Sequence, residues 1–178
     1  MSAFFEQYGI MFKSLKTRIH HFSFNLDSRF FGHFENPDFR GGAININVKM
    51  DKQPHLITLF LAFSGNVRVI CDRCLDEFDL PLDFESTLFA KFGEESLEND
   101  ADVIYIDTNT HELNLAEYFM ESIRINLPIR RVHQKDHSGN DLCNKLMIEK
   151  LDKHQIKDNI KRTDPRWDSL KDIISKQN

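Results

Sequence analysis

The sequence predicts an α+β fold: a curved antiparallel sheet or small open barrel over about residues 18–107, covered by a helix and followed by a C-terminal helical arm. Three observations predict it. Apolar and polar residues alternate through most of residues 18–107, the period of half-buried strands. No helical spacing interrupts that stretch, so successive strands return beside one another as antiparallel meanders. At Asn114 the spacing becomes helical, which supplies one face of the sheet with a cover.

The first strand is read from Phe22, Phe24 and Leu26, and the second from Ile44, Ile46, Val48 and Met50 set against Asn45, Asn47 and Lys49. Residues 56–63 form a nearly continuous apolar run, after which Gly65-Asn66 predicts a tight turn before Val67, Val69 and Cys71 resume the alternation. Residues 78–84 and 87–92 read as two more strands. The acidic stretch with Glu94, Glu95, Glu98, Asp100 and Asp102 reads as a solvated loop, and residues 103–106 as a short last strand. Leu115, Phe119, Ile123 and Leu127 recur at helical spacing, Asn114 with Glu117 has the form of a capping box, and Pro128 stops the helix. A polar loop containing Gly139-Asn140 leads to a weaker helical pattern with Leu142, Leu146 and Leu151. Asp164-Pro165 has the chemistry of an N-cap and first helical residue for a terminal helix bearing Trp167, Leu170 and Ile174. A main domain over 1–141 and a helical extension over 142–178 follow from this division.

At 178 residues the chain is long enough to bury a core without covalent staples, and its 16 phenylalanines are the natural material for one. The formal net charge of -5 and pI near 5.9 exclude a global positive field of the kind that coats nucleic acid. A local basic face remains open, because Arg124, Arg130, Arg131 and Lys135 follow the acidic stretch. With no signal pattern and no apolar run of membrane-spanning length, the chain is expected in the cytoplasm, with no membrane partner.

The most informative segment is Cys71-Asp72-Arg73-Cys74-Leu75, set between two strand-like runs. Two thiols at this spacing can hold one metal ion, close a redox ring, or pack as small hydrophobes. A reducing compartment disfavours a stable disulfide, and the missing helical periodicity weakens a thioredoxin-like role. A tetrahedral zinc site needs two further ligands, and the candidates are His133 and Cys143, with His137 in reserve. One structural zinc is the only cofactor this pattern suggests. Arg68, Arg73, Arg124, Arg130 and Arg131 are candidate phosphate contacts, with Arg73 alternatively pairing with Asp76 or Glu77. Trp167 and Leu170, on an apolar stripe, are candidate partner-binding residues. His20 and His21, neighbours on a strand, point to opposite faces and make no metal pair. No Gly-rich phosphate loop, nucleophile elbow or His-Glu-x-x-His helix is present, so an enzyme or a small-molecule substrate has no positive support.

Gly65-x-Val67 leading into the cysteine segment, the helix closing in Leu127-Pro128, Val132-His133, Cys143 and Asp164-Pro165-Arg166-Trp167-x-x-Leu170 together resemble the YceD family, over about residues 22–174. The resemblance implies a non-catalytic factor for accumulation or processing of large-subunit ribosomal RNA, with that precursor RNA or a ribosomal protein as partner. It places family positions at Cys71, Cys74, His133 and Cys143. Many relatives carry more cysteines toward the C-terminus, where this chain has Cys143 alone. A protein-interaction module using a strand edge or the terminal helix is the second reading. A metal-dependent nuclease is the third, opposed by the closed character of a site with four protein ligands.

Overall fold

The structure is a computed structural model that describes residues 3–34, 39–93, 102–107, 109–135 and 138–155. The expected terminal helix with Trp167, Leu170 and Ile174 lies outside the described residues, as does His137. The chain divides into two units, Met1–Cys143 and Asn144–Asn178.

Within the first unit the alternating stretches become strands β2 (Ile19–Leu26), β3 (Gly41–Lys52), β4 (Leu56–Ile70), β5 (Glu77–Phe92) and β6 (Val103–Ile106), after a two-residue β1 (Gly9–Ile10). The five-stranded sheet has the order β2-β3-β4-β5-β6. It is mixed, because β6 runs parallel to β5 from Phe89↔Val103 to Phe92↔Ile106, and it does not close into a barrel, since β2 and β6 end it without pairing to each other. That parallel edge corrects the all-antiparallel meander. Two further corrections concern strand length. Gly65-Asn66 is no turn, since β4 runs straight through it, and residues 77–92 form one strand rather than two. The glycine is there for close approach: a Cβ on Gly65, whose φ is +154°, would lie 2.2 Å from the carbonyl oxygen of Ala43.

The alternation sends Ile44, Ile46, Val48 and Met50 of β3 and Ile57, Leu59, Leu61 and Phe63 of β4 to one buried face. Helix α2 (Ala116–Ile125) covers that face, its Phe119 meeting Tyr8, Phe24 and Phe63 at ring-centroid distances of 6.4, 5.3 and 6.1 Å. The expected capping box is not formed: Leu115 stands at the N-cap with no side-chain cap bond, and Asn114, one residue earlier, accepts through Oδ1 from the Ala116 N–H at 3.0 Å. A short helix α1 (Ser28–His33) is an addition that the periodicity did not reveal. Asp27 caps it, accepting from the Arg29 and Phe30 N–H groups, and Phe30 and Phe31 complete the core. The chain start joins the same core through β1, which pairs with β7 (Leu113–Asn114).

The second unit contains α3 (Lys145–His154), capped by Asn144, whose Oδ1 accepts from the Leu146 N–H at 3.1 Å. Among the described residues no helix is long and apolar enough to cross a membrane.

Candidate metal centre

Strands β4 and β5 pair without interruption from Leu56↔Lys91 to Ile70↔Glu77, so the residues between them, 71–76, form the tip of a long, stiff hairpin. The tip is closed by its own backbone. The Cys71 N–H donates to the Asp76 carbonyl at 2.9 Å, and the Leu75 N–H donates to the Cys71 carbonyl at 3.0 Å. Leu75 takes a left-handed conformation, φ 64°, to make this turn, a strained choice for a branched side chain that is also 64 % exposed. The turn directs both thiols inward, and Cys71 and Cys74 are buried.

The other half of the site comes from the chain between α2 and Cys143, where an isolated bridge pairs Lys135 with Asp141. Three polar contacts hold it on the hairpin tip. The Asp72 N–H donates to the Arg131 carbonyl at 2.7 Å, the Arg131 N–H donates to the Asp72 carboxylate at 2.6 Å, and Arg73 Nη1 pairs with Asp141 Oδ2 at 3.0 Å. Together they deliver His133 and Cys143 to the two thiols, with the His133 ring tilted over Phe78 at 4.5 Å between centroids.

His133 Nδ1 lies 3.4 Å from Cys74 Sγ and 3.7 Å from Cys143 Sγ, while Cys71 Sγ and Cys143 Sγ are 3.9 Å apart. All four ligand atoms lie within 4.8 Å of one another. A tetrahedral zinc with bonds of about 2.3 Å to sulfur and about 2.0 Å to nitrogen separates its ligands by about 3.8 Å (S to S) and about 3.5 Å (S to N). The donor set therefore fits zinc in type, number and spacing. Four protein ligands also leave no open position for water or substrate.

Electrostatics favour a thiolate here. Burial raises the Cys71 pKa, but N–H groups of Cys74, Arg73 and His133 and the His133 ring outweigh it and bring the value down to about 6. Burial beside Cys71 pushes Cys143 up to about 11. The two thiols are thus pushed in opposite directions, and a divalent cation bound between them would favour the thiolate at both.

The predicted arginines do not all remain available. Arg68 makes a two-pronged ion pair with Asp79 across β4 and β5, with contacts of 2.9 and 3.0 Å, and Arg73 is held by Asp141 rather than by Asp76 or Glu77. Arg124 and Arg130 are exposed, and Arg131 is half-buried beside Asp72. Sequence reasoning missed Asp72 and Asp141 as the residues that dock the second half of the site. The signal for Asp72 was its place inside the cysteine motif, where a carboxylate can bind an incoming backbone N–H.

The family model for "Large ribosomal RNA subunit accumulation protein YceD" matches residues 59–174. That stretch includes all four cluster residues and begins inside β4, leaving out β2 and β3, which the resemblance read from residue 22 had included. No curated protein and no solved structure matches the chain. The long match, with the cysteine knuckle and the chain that closes it both inside, shows that the protein belongs to the YceD family.

Proposed function

We propose that this protein is a non-catalytic ribosome-assembly factor that supports accumulation of large-subunit ribosomal RNA in the cytoplasm, with a structural zinc bound by Cys71, Cys74, His133 and Cys143. The observation that carries this reading is the closed Cys3His set, three buried cysteines and a half-buried histidine, at tetrahedral spacing on a hairpin tip. Zinc there supplies a cross-link. It ties the chain after α2 to the sheet and leaves no coordination position for chemistry. The partner is precursor large-subunit RNA, contacted weakly and in a salt-dependent way by Arg124, Arg130 and Arg131. Arg68 and Arg73 contribute less, because carboxylates already occupy their guanidinium groups.

The test has two arms. Metal analysis of protein purified without chelator should find one zinc per chain, absent in Cys71→Ser. Cells lacking the protein should under-accumulate large-subunit RNA and be restored by the wild type. Normal RNA levels in those cells would remove the assembly role.

A second reading, docking on a ribosomal protein, draws support from Ile125 and Ile129, which stand exposed at and beyond the end of α2 beside these arginines. Trp167 and Leu170 remain the proposed hook of the C-terminal arm. Deleting residues after Lys161 separates the readings: RNA binding persists if the arginines carry it, and partner capture fails if the arm does.

A further inference from the structure

Within the first unit, no described helix covers the face of the sheet opposite α2, which contains a cavity of about 680 Å³. Its lining follows from strand register. One cross-strand row runs His21, Lys49, Phe60, Thr87, and the next runs Ser23, Asn47, Ala62, Glu85. Phe60 stands on the central strand, 45 % exposed, with the Lys49 ammonium 5.7 Å from its ring centroid. The neighbours of Phe60 along β4 on this face, Thr58 and Ala62, are small and leave the ring uncovered. Phe89 and Asp102 border the same cavity.

We propose that this groove is a stacking platform for unpaired nucleobases of single-stranded RNA, an inference that rests on the RNA-binding reading above and gives it a second, distinct contact surface. The backbone of β4 is already paired on both sides, so a ligand over the sheet centre meets side chains only. An aromatic face flanked by the Lys49 ammonium, the His21 imidazole and an amide matches a base stacked on Phe60, phosphate oxygens near Lys49 and the His21 ring N–H, and base-edge bonds to Asn47. The Glu85 carboxylate suits the exocyclic amino group of a base, whereas phosphate would be repelled there. Charge complementarity thus assigns bases to the middle and β5 side of the groove and the RNA backbone to the β2–β3 side. A purely apolar peptide would leave Lys49, Asn47 and Glu85 without partners.

The experiment measures binding of the full chain to a labelled unstructured oligoribonucleotide by fluorescence anisotropy. Phe60→Leu, which keeps an apolar group but removes the ring, should weaken binding about ten-fold or more, while Phe60→Tyr stays near wild type. A duplex of the same RNA should compete poorly. Phe60→Leu binding single strands as well as the wild type would overturn the groove and leave the arginine contacts standing, as would equal competition by duplex. No RNA binding by the wild type at low salt would overturn both the groove and the direct-RNA reading.

Discussion

Withdrawing the zinc proposed for the Cys3His cluster is the sharpest test of the architecture. A metal in the cluster would join Cys74 to His133 across 59 positions of chain, and a cross-link of that span lowers the entropy of the unfolded chain by an amount worth up to about 4 kcal/mol. For a unit of this size each kcal/mol moves the melting temperature about 3 °C, so chelation or Cys143→Ser should lower it by roughly 10 °C. The loss should be unevenly distributed. The β2–β5 sheet and α2 have their own core, whereas the chain between α2 and Cys143 is held by Asp72, Arg73 and the cluster. Hydrogen exchange should therefore show the amides around residues 129–143 losing protection before the strands do. Thermal melts with and without chelator, read beside metal content, measure the effect. Wild-type protein that carries no metal when purified gently, and melts unchanged in chelator, would refute the reasoning and leave the three thiols as packing residues.

Other outcomes follow from the same geometry. Phe119→Ala, which removes a fully buried ring between α2 and the sheet, should cost about 3–5 kcal/mol in urea unfolding. Gly65→Ala should cost about 3 kcal/mol, because the added methyl meets the Ala43 and Ile44 backbone rather than a movable side chain, and the shift appears in the denaturation midpoint. Asp27→Ala should cost about 1 kcal/mol through the lost α1 cap. The bond from Arg29 and the N–H groups of the cap hold the Asp27 carboxyl below its ordinary value. Its contribution is therefore fully present above the unfolded pKa and is lost as pH falls through the lower folded one, which stability measured from neutral to strongly acidic pH will show. Leu75→Gly should raise stability by about 0.5 kcal/mol, the left-handed penalty relieved less the extra freedom of the unfolded chain.

The parts of this protein legible in its sequence are those set by near neighbours. Alternation at 44–50 and the Leu115, Phe119, Ile123 series placed β3 and α2 correctly, because burial of one face repeats at a fixed spacing. The cysteine segment was readable as the junction of two strands for the same reason. His133 and Cys143 were reachable only as residues of suitable type in a loop, and their approach depends on Asp72 and Asp141, whose partners lie far along the chain. Gly65 misled because a turn and a close strand approach both select glycine. Four residues at 103–106 carry no mark of direction, so the parallel edge was invisible. The Phe60 groove was hidden in a run so uniformly apolar that its one outward ring could not be told from the inward ones.

The far edge of β5 shapes what kind of partner this protein can accept. β6 pairs only with residues 89–92, and along the remainder of that strand stands Pro81, which has no N–H to offer an added strand. Recruitment by sheet extension is thereby discouraged along the flank that leads to the cysteine knuckle, as is the runaway self-association that open edges invite. A partner on that side is better held through side chains than through a continuous backbone ladder.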